Sequence, residues 1–205
     1  LLFVVSTCHA EMIRNCFCSE ADSCINQYYK NFMPCIDHCQ NRIAALGANF
    51  GLIRNCITSF EPSVRNTANC VWRIMLNRRA CTNGQARMVE KHYDAGMKIA
   101  FMAELRKVAN RAGITAESMG GLVSGGKKVV SCMRKCMNKS SGGCMHDTNT
   151  CQLILPPENE FIQMIKQCGI QNGIDTAGFQ RFCQCVAASG ISRLFNFCPR
   201  IQIYK

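Results

Sequence analysis

Cysteine constrains this chain more than any other feature. Seventeen of its 205 residues are Cys. Usage at that level marks a disulfide scaffold more than an ordinary intracellular protein. Cys8 stands alone near the start, and the other sixteen fall into two blocks of eight. The first holds Cys16, Cys18, Cys24, Cys35, Cys39, Cys56, Cys70 and Cys81. The second holds Cys132, Cys136, Cys144, Cys151, Cys168, Cys183, Cys185 and Cys198. No Cys lies between 82 and 131. An even number in each block predicts that each closes its own bridges, although eight cysteines permit 105 pairings. Bridges persist where the compartment is oxidising, which predicts a secreted, extracellular location.

The N-terminus agrees with that location. Leu1 to Val5 is an apolar run, followed by Ser6, Thr7, Cys8, His9 and Ala10. Small residues at Cys8 and Ala10 resemble the end of a secretory signal peptide cleaved after Ala10. The basic start of such a signal is missing, so the sequence reads as a fragment. Residues 1–10 are thus expected to be a signal remnant, and its removal takes away the odd cysteine. A short buried strand over Leu2 to Val5 is the plainer alternative. No apolar run approaches the ~20 residues of a membrane span, so no transmembrane segment is expected.

Hydrophobic periodicity is helical almost throughout, predicting an all-α fold of short helices cross-linked by disulfides. Ser19 to Asp22 resembles a capping box before an apolar stripe through Cys24, Tyr28, Phe32, Cys35, Cys39, Ile43 and Leu46. Pro34 is expected to kink or break that helix, and Gly47 to stop it. Pro62 suits the first turn of a second helix. Val89, Tyr93, Met97, Phe101, Leu105, Val108 and Ala112 predict a third, ended by Gly113. Met119 to Gly126 reads as a glycine-rich turn or hinge. Val129, Cys132, Met133 and Cys136 form the face of a further helix, broken at Ser141-Gly142-Gly143. Pro156-Pro157 starts another, and Asp175 or Thr176 caps the last.

These features divide the chain into a first Cys-rich module at 11–82, a Cys-free helix and hinge at 83–126, and a second Cys-rich module at 127–205. The modules look related: Cys39-x16-Cys56 matches Cys151-x16-Cys168, and Cys35-x3-Cys39 matches Cys132-x3-Cys136. A Cys-x3-Cys pair places both sulfurs on one helix face, one turn apart. Modules of roughly 70 residues bury too little apolar surface for a comfortable margin, and bridges worth ~2–4 kcal/mol each would supply it.

Catalytic and metal chemistry find little support. The cysteine pairs are spaced x1 and x3, not the Cys-x2-Cys of zinc knuckles, so neither a metal nor another cofactor is expected. His146-Asp147 beside Cys144 and Cys151 faintly resembles the catalytic helix of small secreted phospholipases. The glycine-rich calcium loop and the adjacent Cys pair of that family are absent. No Gly-x-Ser-x-Gly elbow is present. The expected protein is a non-catalytic binding or structural component of the extracellular space. The alternatives are a membrane-active or lipid-binding protein, using apolar surfaces such as Met97, Phe101 and Met102, and more remotely a phospholipase-like hydrolase.

The formal net charge is +11, spread along the chain and not gathered in a tail. Lys127, Lys128, Arg134, Lys135 and Lys139 cluster on the Cys132–Cys136 helix. That stripe suits acidic glycans, anionic lipid or an acidic extracellular protein; a solvated helix face is the plainer reading. Aromatic residues do not interleave with these cations, so nucleic acid is not an expected partner. Asn138-Lys139-Ser140 is an N-glycosylation triplet.

Cys35-Ile36-Asp37-His38-Cys39 followed by Cys56, Cys70 and Cys81, and Cys132-Met133-Arg134-Lys135-Cys136 followed by Cys168 and Cys183, resemble the nematode chondroitin proteoglycan 4 domain. Glial-factor-receptor modules are similar at the same level. The resemblance covers most of residues 16–198 as two copies and implies an extracellular, non-catalytic protein that sometimes bears glycosaminoglycan. Ser124-Gly125, Ser141-Gly142 and Ser189-Gly190 lack the acidic neighbours that such attachment favours.

Overall fold

The computed structural model describes residues 11–91, 95–142, 144 and 150–203. The signal-like segment, Cys8, Tyr93, and the His146-Asp147 pair lie outside these residues.

Helices dominate. They are α1 (Cys18–His38), α2 (Gln40–Ala44), α3 (Phe50–Asn77), α4 (Ala95–Arg111), α5 (Ala116–Met119), α6 (Gly121–Ser140), α7 (Glu158–Gln171) and α8 (Thr176–Ala188). Two 3-10 turns follow, Ser192–Asn196 and Cys198–Arg200. One small antiparallel ribbon pairs β1 (Met12–Arg14) with β2 (Met88–Glu90), Ile13 opposite Val89. Val89, expected within the middle helix, therefore belongs to a strand, and the described part of that helix is Ala95–Arg111.

Pro62 departs from expectation, and the helix expected to run through Leu46 breaks at Cys39, not at Pro34. Pro34 lies inside α1, and Pro62 lies inside α3. Each removes a backbone donor and crowds the preceding turn, at about 3 kcal/mol. Contacts on both sides of each proline hold the helices continuous. After Pro34, Cys35 is fully buried in a bridge to Cys136. Around Pro62, Phe60 stacks on Phe182 at 4.6 Å and Thr67 is buried. Of the glycines of the expected hinge, Gly120 does form a turn, with φ of 49°, whereas Gly121, Gly125 and Gly126 are helical, because α6 begins at Gly121.

Helix ends follow local chemistry more closely, although the capping box expected at Ser19–Asp22 falls two residues earlier, with Phe17 as N-cap and Glu20 at N3. Glu20 reaches back to accept from the Phe17 N–H at 2.9 Å, while Arg14 grips the same carboxylate. Asn49 caps α3 by accepting from the Leu52 N–H at 3.1 Å. Asp175 caps α8 by accepting from the Gly178 N–H at 2.7 Å.

All sixteen cysteines from Cys16 to Cys198 are bridged. Cys18–Cys81 and Cys183–Cys198 close within a block. The other six run between blocks: Cys16–Cys151, Cys24–Cys144, Cys35–Cys136, Cys39–Cys132, Cys56–Cys185 and Cys70–Cys168. The expectation that each block closes its own bridges is corrected. The reason is antiparallel helix pairing. When α1 and α6 run in opposite directions, both members of one Cys-x3-Cys pair meet both members of the other. Asn31 extends this register, donating from Nδ2 to the Ser140 carbonyl at 3.3 Å.

The second pairing sets α3 against α7 and α8. Cys70–Cys168 and an Arg78–Glu160 ion pair fix α3 antiparallel to α7. Cys56–Cys185 and the Phe60–Phe182 stack fix it antiparallel to α8. The two shorter helices thus lie end to end along one long helix. The break between them, at Gly173 with φ of 80°, faces Ser63 near the middle of α3.

Apolar packing is modest. One cluster joins Ile36, Ile43, Ala48, Ile53 and Ile191, and a second joins Ala112, Cys183, Ala187, Cys198 and Ile201. Four of the five largest fully buried side chains are disulfide cysteines, Cys35, Cys39, Cys168 and Cys198. Sulfur bridges occupy positions that large aliphatic residues fill in an uncrosslinked core.

Candidate functional site

The α1–α6 seam carries a groove. One cleft of about 470 Å³ is lined by His38, Arg42, Lys128, Ser131, Cys132, Lys135, Cys136 and Lys139. An adjoining cleft of about 460 Å³ is lined by Arg42, Ala45, Leu46, Gly121, Leu122, Ser124, Gly125, Lys128, Gly190, Ile191, Ser192 and Arg193. Arg42 and Lys128 belong to both, which makes the two clefts one continuous groove. Its lining contains five Arg or Lys side chains and one His. Among the described residues, it contains no carboxylate and no Phe, Tyr or Trp.

The rim arises from helical geometry. Positions 128, 131, 132, 135, 136 and 139 recur at three- and four-residue steps, so they share one face of α6. Lys128, Lys135 and Lys139 are therefore in the groove, as three of the five expected cations. Lys127 and Arg134 are exposed but do not line it. Each sits one residue before a lining position, about 100° round the helix. Asn138 belongs to the last turn of α6 and is half-buried.

The opposite wall went unread in the sequence. His38, Arg42 and Arg193 come from α1, α2 and the 3-10 turn. A local signal for two of them exists. A basic residue follows three positions after each cysteine of both Cys-x3-Cys pairs: Cys35 and His38, Cys39 and Arg42, Cys132 and Lys135, Cys136 and Lys139. Three residues on is nearly one helical turn, so each basic group stands beside a bridge. Arg193 has no such signal and arrives by tertiary packing alone.

Close packing shapes one end of the groove. Leu46 lies against Gly125, where any Cβ would meet its side chain. Gly190 has φ of 117°, and a Cβ there would sit 2.6 Å from the Gly47 carbonyl oxygen. The carboxylate nearest in sequence, Asp37, turns to α3. Arg54 donates to it at 2.6 and 3.1 Å, and this hydrogen bonding holds the Asp37 carboxyl below its usual range. Its charge is thereby engaged away from the groove cations.

Elsewhere, Cys16, Cys151 and Glu20 bring two sulfurs and a carboxylate together. The sulfurs are bonded to each other, and Glu20 holds Arg14, so the cluster is not a ligand set. On α4, Ile99, Phe101, Met102 and Leu105 are exposed, whereas Met97 is half-buried. Among the described residues, no helix is long and apolar enough to cross a membrane.

No protein-family model matches the chain, and no curated protein and no solved structure shows significant similarity to it.

Proposed function

We propose that this chain is a secreted, non-catalytic extracellular protein that works by binding, as a disulfide-locked helical platform. The observation that carries this reading is the pairing of all sixteen cysteines from Cys16 to Cys198, most of them across the chain. Such a network requires an oxidising compartment to form and persist. It also holds a surface in one shape before any partner arrives, which lowers the ordering cost of association.

The two Cys blocks are related modules in this reading. Exchanging Cys35 with Cys132, Cys39 with Cys136, Cys56 with Cys168 and Cys70 with Cys185 leaves four bridges unchanged as a set. The exchange sets α1 against α6, and the unbroken α3 against the broken α7–α8. This supports a duplication with Cys185, not Cys183, as the counterpart of Cys70.

The test is intact mass of the native protein before and after reduction. The expected result is uptake of sixteen alkyl groups by the region from Cys16 onward only after reduction. Extensive alkylation without reduction would sink the reading. The same spectrum shows whether Asn138 carries glycan.

A second reading rests on α4. Ile99, Phe101, Met102 and Leu105 are exposed beside Lys98, Arg106 and Lys107. An apolar helix surface flanked by cations suits the interface of an anionic membrane. Co-sedimentation with anionic vesicles, abolished by Phe101→Ser with Met102→Ser, would favour it over the first reading.

A further inference from the structure

We infer that the α1–α6 groove binds a linear sulfated polysaccharide. This rests on the reading of the chain as an extracellular binding protein and names its ligand.

The groove is cationic along its whole length and, among the described residues, has no acidic lining residue. A cleft walled by one sign of charge concentrates field lines and draws counter-ions of the opposite sign. The spread of charge decides the shape of the ligand. From Lys128 to Lys139 is eleven residues of helix, roughly 16 Å at the α-helical rise. Arg193 extends the cationic lining beyond the first cleft. A lone phosphate or one lipid headgroup would engage a fraction of this line; a chain bearing anionic groups at intervals engages all of it.

The chemistry of the lining narrows the class. No Phe, Tyr or Trp lines it to stack successive bases, and a single His38 makes no stacking platform, which sets single-stranded nucleic acid aside. The lining offers Arg and Lys for anionic groups, and Ser124, Ser131 and Ser192 for hydroxyls. That combination matches a sulfated sugar chain. Rigidity adds to the fit, because Cys132 and Cys136 line the groove and are bridged to Cys39 and Cys35 on the opposite wall. The spacing between the cationic rims is set by covalent bonds.

A chain of net charge +11 attracts any polyanion to some degree, so the experiment must separate groove from bulk charge. The probe is heparin, with fully desulfated heparin as its control, titrated onto the intact oxidised protein at physiological salt. One variant carries Lys135→Glu with Lys139→Glu. A second, equal in charge change, carries Arg73→Glu on α3 with Arg181→Glu on α8, both exposed and outside the groove lining. The groove variant is expected to lose roughly tenfold or more in heparin affinity, while the control variant stays near wild type. Lys135→Gln with Lys139→Gln should show a smaller loss in the same direction, with an unchanged non-reducing melting temperature.

Equal losses in the groove and control variants would overturn the proposal, as would equal binding of desulfated heparin. Absence of heparin binding, with groove-dependent binding to phosphoinositide vesicles, would reassign the site to a lipid headgroup. The thiol count separates the two levels of failure. A fully bridged protein indifferent to heparin refutes the ligand, whereas free thiols refute the extracellular reading beneath it.

Discussion

Arg42 of α2 and Lys128 of α6 line both clefts of the groove, one from each wall. They mark the junction where two cationic sites become one. Replacing both by Gln should therefore cost more affinity for long heparin chains than for short oligosaccharides. The short chains need only one cleft; the long ones cross the junction. Affinity measured against chain length checks this, and a uniform loss at every length would show that the clefts act separately.

The twin bridges Cys35–Cys136 and Cys39–Cys132 close nearly the same loop, with sequence separations of 101 and 93. With one intact, the other restricts only a few further residues of the unfolded chain. Removing either pair as Cys→Ala should cost less than half of what removing both costs. Loss of both should approach or exceed the ~2–4 kcal/mol typical of a native bridge. Denaturant midpoints of oxidised variants measure the difference, and simple additivity would count against a shared loop.

Gly190 and Gly47 both have positive φ, yet only one is crowded. Gly47→Ala has open space around it and should cost about 1–2 kcal/mol for its left-handed backbone alone. Gly190→Ala places a methyl against the Gly47 carbonyl and should cost distinctly more. Thermal unfolding of the two variants, side by side, ranks them. Because Gly190 lines the groove, the larger effect should also weaken heparin binding.

Glu104 joins α4 to α7, accepting from Lys107 at 2.7 Å and from Lys166 at 2.6 Å. These hydrogen bonds, Lys107 foremost, pull its carboxyl from 4.5 down to about 2. A depressed folded-state value means the unfolded chain binds the proton more readily. The stabilisation is therefore full above the ordinary value of 4.5 and fades as pH falls toward about 2. Glu104→Gln should be less stable than wild type at neutral pH and should converge with it in strong acid. Melting temperatures across that window supply the check.

Asp175 caps the α8 side of the α7–α8 break. Asp175→Ala removes the acceptor for the Gly178 N–H and should cost about 1 kcal/mol. Hydrogen exchange should rise first in the opening turn of α8, leaving α7 protected. Equal loss of protection in both helices would mean that they unfold as one unit.

Much of this architecture is written locally. The helical class, the stop at Gly47, the start after Pro156-Pro157, the cap at Asp175 and the basic face of α6 all follow from residues near one another in sequence. Local rules failed where distant contacts outweighed them. Pro34 and Pro62 sit in unbroken helices because buried bridges and ring stacking hold the flanking turns, and Val89 is a strand because Ile13 pairs with it. The cysteine count shows how many bridges can form, but not which. Pairing depends on which helices run antiparallel, a property of the whole chain. The groove divides in the same way. Three of its cations, Lys128, Lys135 and Lys139, follow from local periodicity, because a helix repeats them on one face. His38, Arg42 and Arg193 join them only through long-range packing, because charge separated by tens of residues converges only after the chain has folded.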